Sequence, residues 1–159
     1  MTTQLETVEG LVRIRVPIER PDGDAGPDAD WLWAEPLGSD RYRVESCPFF
    51  AYGISRDDVV RAVGARGDAD APRLEDVMEK GGHRTLRMAL DPDAELSHGP
   101  VQALLEKLLE LGCTHEALRP KIVAIDLPPE VDLGVVTELL QSRLRDGLIL
   151  WEWADPRPS

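Results

Sequence analysis

The chain has 159 residues, a hydrophobic share of 42% and a formal net charge of −12. That hydrophobic share suffices for a packed interior, so a disordered chain is not expected. The acidic excess is spread over both halves and leaves no basic stripe for neutralising phosphates, so nucleic-acid binding is not expected either.

From the N-terminus, Leu11 to Ile18 alternates, with Val12, Ile14, Val16 and Ile18 on one face and Arg13 and Arg15 on the other. Residues 21–30, PDGDAGPDAD, read as an acidic Pro/Gly loop with nothing to bury. Trp31 to Leu37 and Arg41 to Cys47 predict a hairpin over Gly38-Ser39-Asp40, with Trp31 and Trp33 on one face of its first strand. Between Gly53 and Val63, Ser55 with Asp58 fits a helix cap, whereas Val59, Val60 and Val63 fit a strand; a short turn followed by a strand is the preferred reading. Residues 64–72 read as a loop, and Arg73 to Lys80 fits either type of element. These short strands suggest a small SH3-like barrel or curled sheet over residues 1–82.

The second half has a clearer period. Leu86, Met88 and Leu90 alternate with Thr85, Arg87 and Ala89, as in a strand with one buried face. Pro100 is placed to open a helix with Val101, Leu104, Leu105, Leu108 and Leu109 as its apolar stripe, and Gly112 supplies the left-handed stop. Thr114–Leu118 and Ile122–Leu127 flank Arg119-Pro120-Lys121 as a hairpin. Asp132 can cap a second helix with Leu133, Val136, Leu139, Leu140 and Leu144 inward; Gly147 ends it, and Leu148–Ala154 is a final strand. Strand, helix, strand, strand, helix, strand is the split β-α-β order, so the expected class is α+β, with a ferredoxin-like sandwich over residues 83–155 and a disordered tail at 156–159.

Motifs of catalysis are missing. His83, His98 and His115 show no metal-ligand spacing, and there is no GxSxG, GxxxxGK[ST] or GxGxxG. No catalytic residue, metal or cofactor is expected. Cys47 and Cys113 form no CxxC pair, MTTQLETVEG is not a signal peptide, and no apolar run nears the roughly 20 residues of a membrane span; the cytoplasm is the expected compartment, with no membrane partner. All eight aromatics fall in two places: Trp31, Trp33, Tyr42, Phe49, Phe50 and Tyr52, then Trp151 and Trp153. The last strand is apolar on both faces, so it should be covered on both, with the N-terminal hairpin packing its aromatics on Trp151 and Trp153. The other reading of these aromatics is an exposed patch that anchors a partner.

The segment WLWAEPLGSDRYRVESCPFFAYGISRDDVVRA (Trp31 to Ala62), together with GHRTLRM (Gly82 to Met88), resembles the uncharacterised bacterial domain-of-unknown-function family DUF4265. Members typically show an E-x-L-W-A-like strand, an R-Y-x-(V/L) strand, a P-F-(F/Y)-A-x-G turn, a D-V-V strand and a G-H-x-T-(L/V)-R strand. The likeness spans most of residues 10–153 and implies no activity. It favours strands at Val59–Val63 and Arg73–Lys80, and singles out Pro48, Phe49, Gly53, Gly82, His83 and Arg87.

The functional expectation is a non-catalytic cytosolic protein of the immunity or inhibitor type. Its acidic surface and aromatic patch would engage a basic protein partner. The alternatives are a small-molecule sensor domain and an enzyme of unknown reaction. Candidate binding residues are Trp31, Trp33, Phe49, Phe50, Tyr52, His83, Arg87, Trp151 and Trp153, and the Leu148–Ala154 edge could pair across a homodimer.

Overall fold

The structure, a computed structural model, describes residues 10–18, 28–64, 71–118 and 121–156. Most of the two loops expected at 21–30 and 64–72, the tip of the Arg119-Pro120-Lys121 hairpin, the first nine residues and the tail beyond Pro156 lie outside the described residues.

Alternating apolar residues build the first unit. Strands β1 (Val12–Pro17), β2 (Ala29–Gly38), β3 (Arg41–Val44), β4 (Val59–Val63) and β5 (Arg73–Glu79) close into a barrel in the order β1-β2-β3-β4-β5. Only the β1–β5 contact that closes it is parallel. Ile14, Val16, Leu32, Ala34, Val44, Val60 and Ala62 point inward and form its core. Ser39 and Asp40, both with positive φ, make the β2–β3 turn, where short polar side chains tolerate the left-handed region. Around residue 55 there is a turn, not a helix. Ser55 N–H donates to Asp58 Oδ2 at 2.9 Å, and Asp58 N–H donates back to Ser55 O at 3.2 Å.

The second unit is β6 (Arg84–Leu90), α1 (Gly99–Glu110), β7 (Thr114–Leu118), β8 (Ile122–Leu127), α2 (Leu133–Arg145) and β9 (Ile149–Asp155). The sheet order is β7-β8-β6-β9, and every neighbouring pair is antiparallel. The fold is thus α+β, as expected: a closed five-stranded barrel joined to a four-stranded sheet with two helices. Asp132 caps α2 by accepting from the N–H groups of Gly134 and Val135, and Gly112 follows α1 with φ +101. The helices pack Val101, Leu104, Leu105, Leu108, Val136 and Leu140 against Leu86, Met88, Val123 and Ile125. Among the described residues, no helix is long and apolar enough to cross a membrane.

Four expectations need correction. Leu109, assigned to the apolar stripe of α1, is 62% exposed, because it lies at the edge of that stripe. Asp30, assigned to a loop with nothing to bury, is the second residue of β2 and is buried. Trp151 and Trp153 do not receive the N-terminal hairpin; with Ile149 they turn to the helix side, stacked edge-on at 6.3 Å, and Trp151 Nε1–H donates to Gln141. Lastly, the face of β6 that carries Thr85 and Arg87 is not open: both are buried, Thr85 against Ser55 and Arg87 under the loop after β3.

Candidate functional site

Strand register sorts the sheet face opposite the helices into three rows. Side chains that share a register position across antiparallel strands point to the same side. The row nearest the barrel is Thr114, Asp126, Thr85 and Asp155; the middle row is Glu116, Ala124, Arg87 and Glu152; the far row is Leu118, Ile122, Ala89 and Leu150.

The barrel covers the near row with polar groups. Ser55 Oγ donates to Asp155 at 2.6 Å and lies 2.8 Å from Thr85 Oγ1. Lys80 Nζ reaches both Asp58 and Asp155, whose side chains are fully buried, and also the Gly53 carbonyl. His83 Nδ1 bonds Asp126 Oδ1 at 2.8 Å, and its Nε2 lies 3.9 Å from Asp57 Oδ2. Burial pushes the Asp126 carboxyl up, although His83 pulls it down.

The loop after β3 covers the middle row. Cys47 N–H donates to Glu116 at 2.9 Å, and burial raises both the Glu116 carboxyl and, much further, the Cys47 thiol. Arg87 donates to the carbonyls of Ala51 (2.8 Å) and Pro48 (3.5 Å) and to Glu152 (3.2 Å), with its guanidinium 4.6 Å from the Tyr52 ring centre. The Tyr52 hydroxyl in turn donates to Glu152, and that bond pushes the phenol up. The loop itself is held from below. Asp30 Oδ2 accepts the N–H groups of Phe49, Phe50 and Ala51 at 2.8, 2.7 and 3.0 Å.

The far row is the least covered: Leu118, Ile122 and Ala89 are half-buried and Leu150 is exposed. Ala89, Ile122 and Leu150 floor a groove of about 330 Å³ whose wall is Phe49, Phe50 and Tyr52 and whose polar corner is Arg87 with Glu152. Leu150 is 67% exposed and Tyr52 63%, so two large side chains sit in water at its mouth.

The candidate residues named from sequence therefore part company. Phe49, Phe50, Tyr52 and Arg87 meet at the groove, and Trp151 borders it. Trp153 is on the helix side. Trp31 and Trp33 lie on the outer face of the barrel, where Arg13 stacks on Trp31. His83 sits at the seam between barrel and sheet, away from the groove lining. Sequence reasoning missed Leu150, Ala89, Ile122 and Glu152, although their strand alternation was visible; the register that aligns them is set by pairing across long sequence separations. It also missed Asp30, whose acidic neighbours made it look like loop.

A family model described as a domain of unknown function, DUF4265, matches residues 30–151. The chain belongs to this family. The match includes the Asp30 anchor, the Phe49-Phe50-Tyr52 wall, Arg87 and Leu150, and thus most of the DUF4265 groove. A solved structure described as a hypothetical protein from Neisseria gonorrhoeae is similar with a TM-score of 0.72 at 13% identity, over 92% of this chain and 96% of that one. At that identity the likeness shows a shared fold. No curated protein matches the chain.

Proposed function

We propose that this DUF4265 protein is a non-catalytic binding protein, of the immunity or inhibitor type, that takes an apolar side chain of a basic protein partner into the groove. The observation behind this reading is the far row: the barrel and the loop after β3 cover two rows of the sheet face, while half-buried Ala89 and Ile122 and exposed Leu150 are left to floor a groove beside an aromatic wall. Apolar patches rimmed by polar residues mark interaction sites, and Tyr and Arg, both present at this groove, are enriched among interface hot spots. Arg87 and Glu152 pair with each other, so the corner is neutral, and the charge of −12 over the whole chain favours encounter with a basic surface. In the finer reading of the fold, the barrel is SH3-like and the sheet with its helices ferredoxin-like; the order β7-β8-β6-β9 supports the latter. The unpaired Cys47 and Cys113 support a cytoplasmic setting.

The test is paired capture at low salt from the native host with wild type and Leu150→Glu, followed by titration of each purified partner. A basic partner that binds wild type and loses at least tenfold with Leu150→Glu, but binds Leu109→Glu normally, supports the proposal. Partners indifferent to Leu150→Glu overturn it.

The size of the groove favours one second reading, a small-molecule sensor. About 330 Å³ lies at the lower end of ligand pockets, roughly 300–1,000 Å³. A metabolite that raises the melting temperature of wild type but not of Leu150→Glu would support that reading over the first.

A further inference from the structure

The barrel presents a second surface, positively charged and independent of the groove. Its strands carry six arginines: Arg13, Arg15, Arg41, Arg43, Arg61 and Arg73. Arg41 pairs with Glu79, Arg43 with Glu35, Arg61 with Asp76 and Arg73 with Glu75. Among the described residues, Arg13 and Arg15 have no carboxylate within ion-pair distance. Instead, Arg13 lies over the Trp31 ring at 4.3 Å, and the register sets Arg13 opposite Trp33 and Arg15 opposite Trp31. Trp31 is 41% exposed. Arg73, on the other side of Arg15, is already paired with Glu75 and leaves the two β1 arginines as the unpaired charges of this face. Among the described residues, two arginines without an ion pair thus lie beside an exposed indole, in a chain of net charge −12.

We propose that the Arg13–Arg15–Trp31 face of the barrel docks a short, extended acidic segment of a partner protein. Residues two apart on a strand point to the same side about 7 Å apart. An extended peptide with carboxylates at alternate positions repeats that spacing, so one carboxylate meets Arg13 and the next meets Arg15. Each guanidinium can take its carboxylate with two parallel hydrogen bonds. Trp31 offers its free edge to an apolar side chain of the same segment. A short segment is favoured over a nucleic-acid strand by the range of the charges. Screening confines the patch's attraction to about 8 Å at physiological salt, whereas a long polyanion would also run over Glu75, Asp76 and Glu79 on β5.

The experiment titrates the full chain with an acetylated, amidated Glu-Val-Glu-Val-Glu peptide and follows backbone amide and indole resonances. Shifts centred on Arg13, Arg15 and the Trp31 indole, with a Kd that rises with salt, are expected. Arg13→Gln with Arg15→Gln should weaken binding about tenfold or more, while Arg41→Gln leaves it unchanged. A control peptide of the same composition with its three Glu adjacent should bind wild type several-fold more weakly, a readout that does not depend on any variant folding. No shifts at millimolar peptide, shifts elsewhere, or equal binding of the two peptides would overturn the proposal. So would tighter binding of an oligothymidylate of equal charge at the same residues, which would make the patch a nucleic-acid site.

Discussion

Ser55 Oγ donates to Asp155 Oδ2 at 2.6 Å, tying the turn before β4 to the last residue of β9. Both side chains are fully buried, and Lys80 bridges the same Asp155 to Asp58. The seam between barrel and sheet is thus a closed polar cluster, with partners drawn from both units. A buried polar group must keep its partners, so the units stabilise each other through it. Lys80→Met leaves two buried carboxylates without their cation and is expected to cost about 3–5 kcal/mol. Urea unfolding followed by tryptophan fluorescence and by far-UV circular dichroism should shift together; separate transitions for the two probes would mean that the seam does not couple the units.

Gly81 packs against the backbone of Asp57. A Cβ added there would lie 2.3 Å from the Asp57 carbonyl oxygen and 2.6 Å from its carbon. Since main chain cannot swing aside as a flexible side chain does, Gly81→Ala is expected to lower stability by about 1–3 kcal/mol. An unchanged urea midpoint would contradict that close approach.

The groove wall hangs on Asp30. Three consecutive N–H groups share one of its carboxylate oxygens, and each would lose its partner in Asp30→Ala. With each orphaned buried donor costing about 1–3 kcal/mol, a loss of about 3 kcal/mol or more is expected. Amide exchange at Phe49, Phe50 and Ala51 should accelerate more than at Leu86 or Ile125. By contrast, Leu150→Glu at the exposed floor is expected to change stability by less than about 0.5 kcal/mol.

Burial raises the carboxyls of Asp126 and Glu116 above their ordinary values of 3.8 and 4.5. Between the ordinary and the raised value the folded protein holds more protons than the unfolded chain, so stability from these groups is present at lower pH and lost as pH rises through that window. Asp126→Asn with Glu116→Gln removes both titrations. The variant's urea midpoint should fall less than that of wild type as pH rises through that window; parallel profiles would remove the effect.

Cys47 and Cys113 are both 1% exposed, and burial holds the thiols high, that of Cys113 at about 11. A buried, protonated thiol is a poor nucleophile. Neither should react with a disulfide reagent at pH 8 faster than the protein opens, and both should react at once in denaturant. A thiol that reacts rapidly in the native state would place it at the surface.

The sequence alone determined what depends on neighbours along the chain. Period-two alternation marked β1, β6 and β9, period-3.6 stripes and end signals marked both helices, and the turn at Gly38-Ser39-Asp40 followed from residues that accept positive φ. The tertiary structure decided what depends on residues far apart. Trp151 and Trp153 could have faced either side of the sheet, since alternation defines two faces but not which one meets the helices. Arg87 looked like an exposed residue of an open face until Pro48 and Ala51, more than 30 residues earlier, supplied carbonyls to bury it. The same docking covers two rows of the sheet and leaves Ala89, Ile122 and Leu150 as the floor of a groove, so the candidate site is a product of how the units meet. The contacts of the junction were not legible in the sequence, because they join residues that no local periodicity relates.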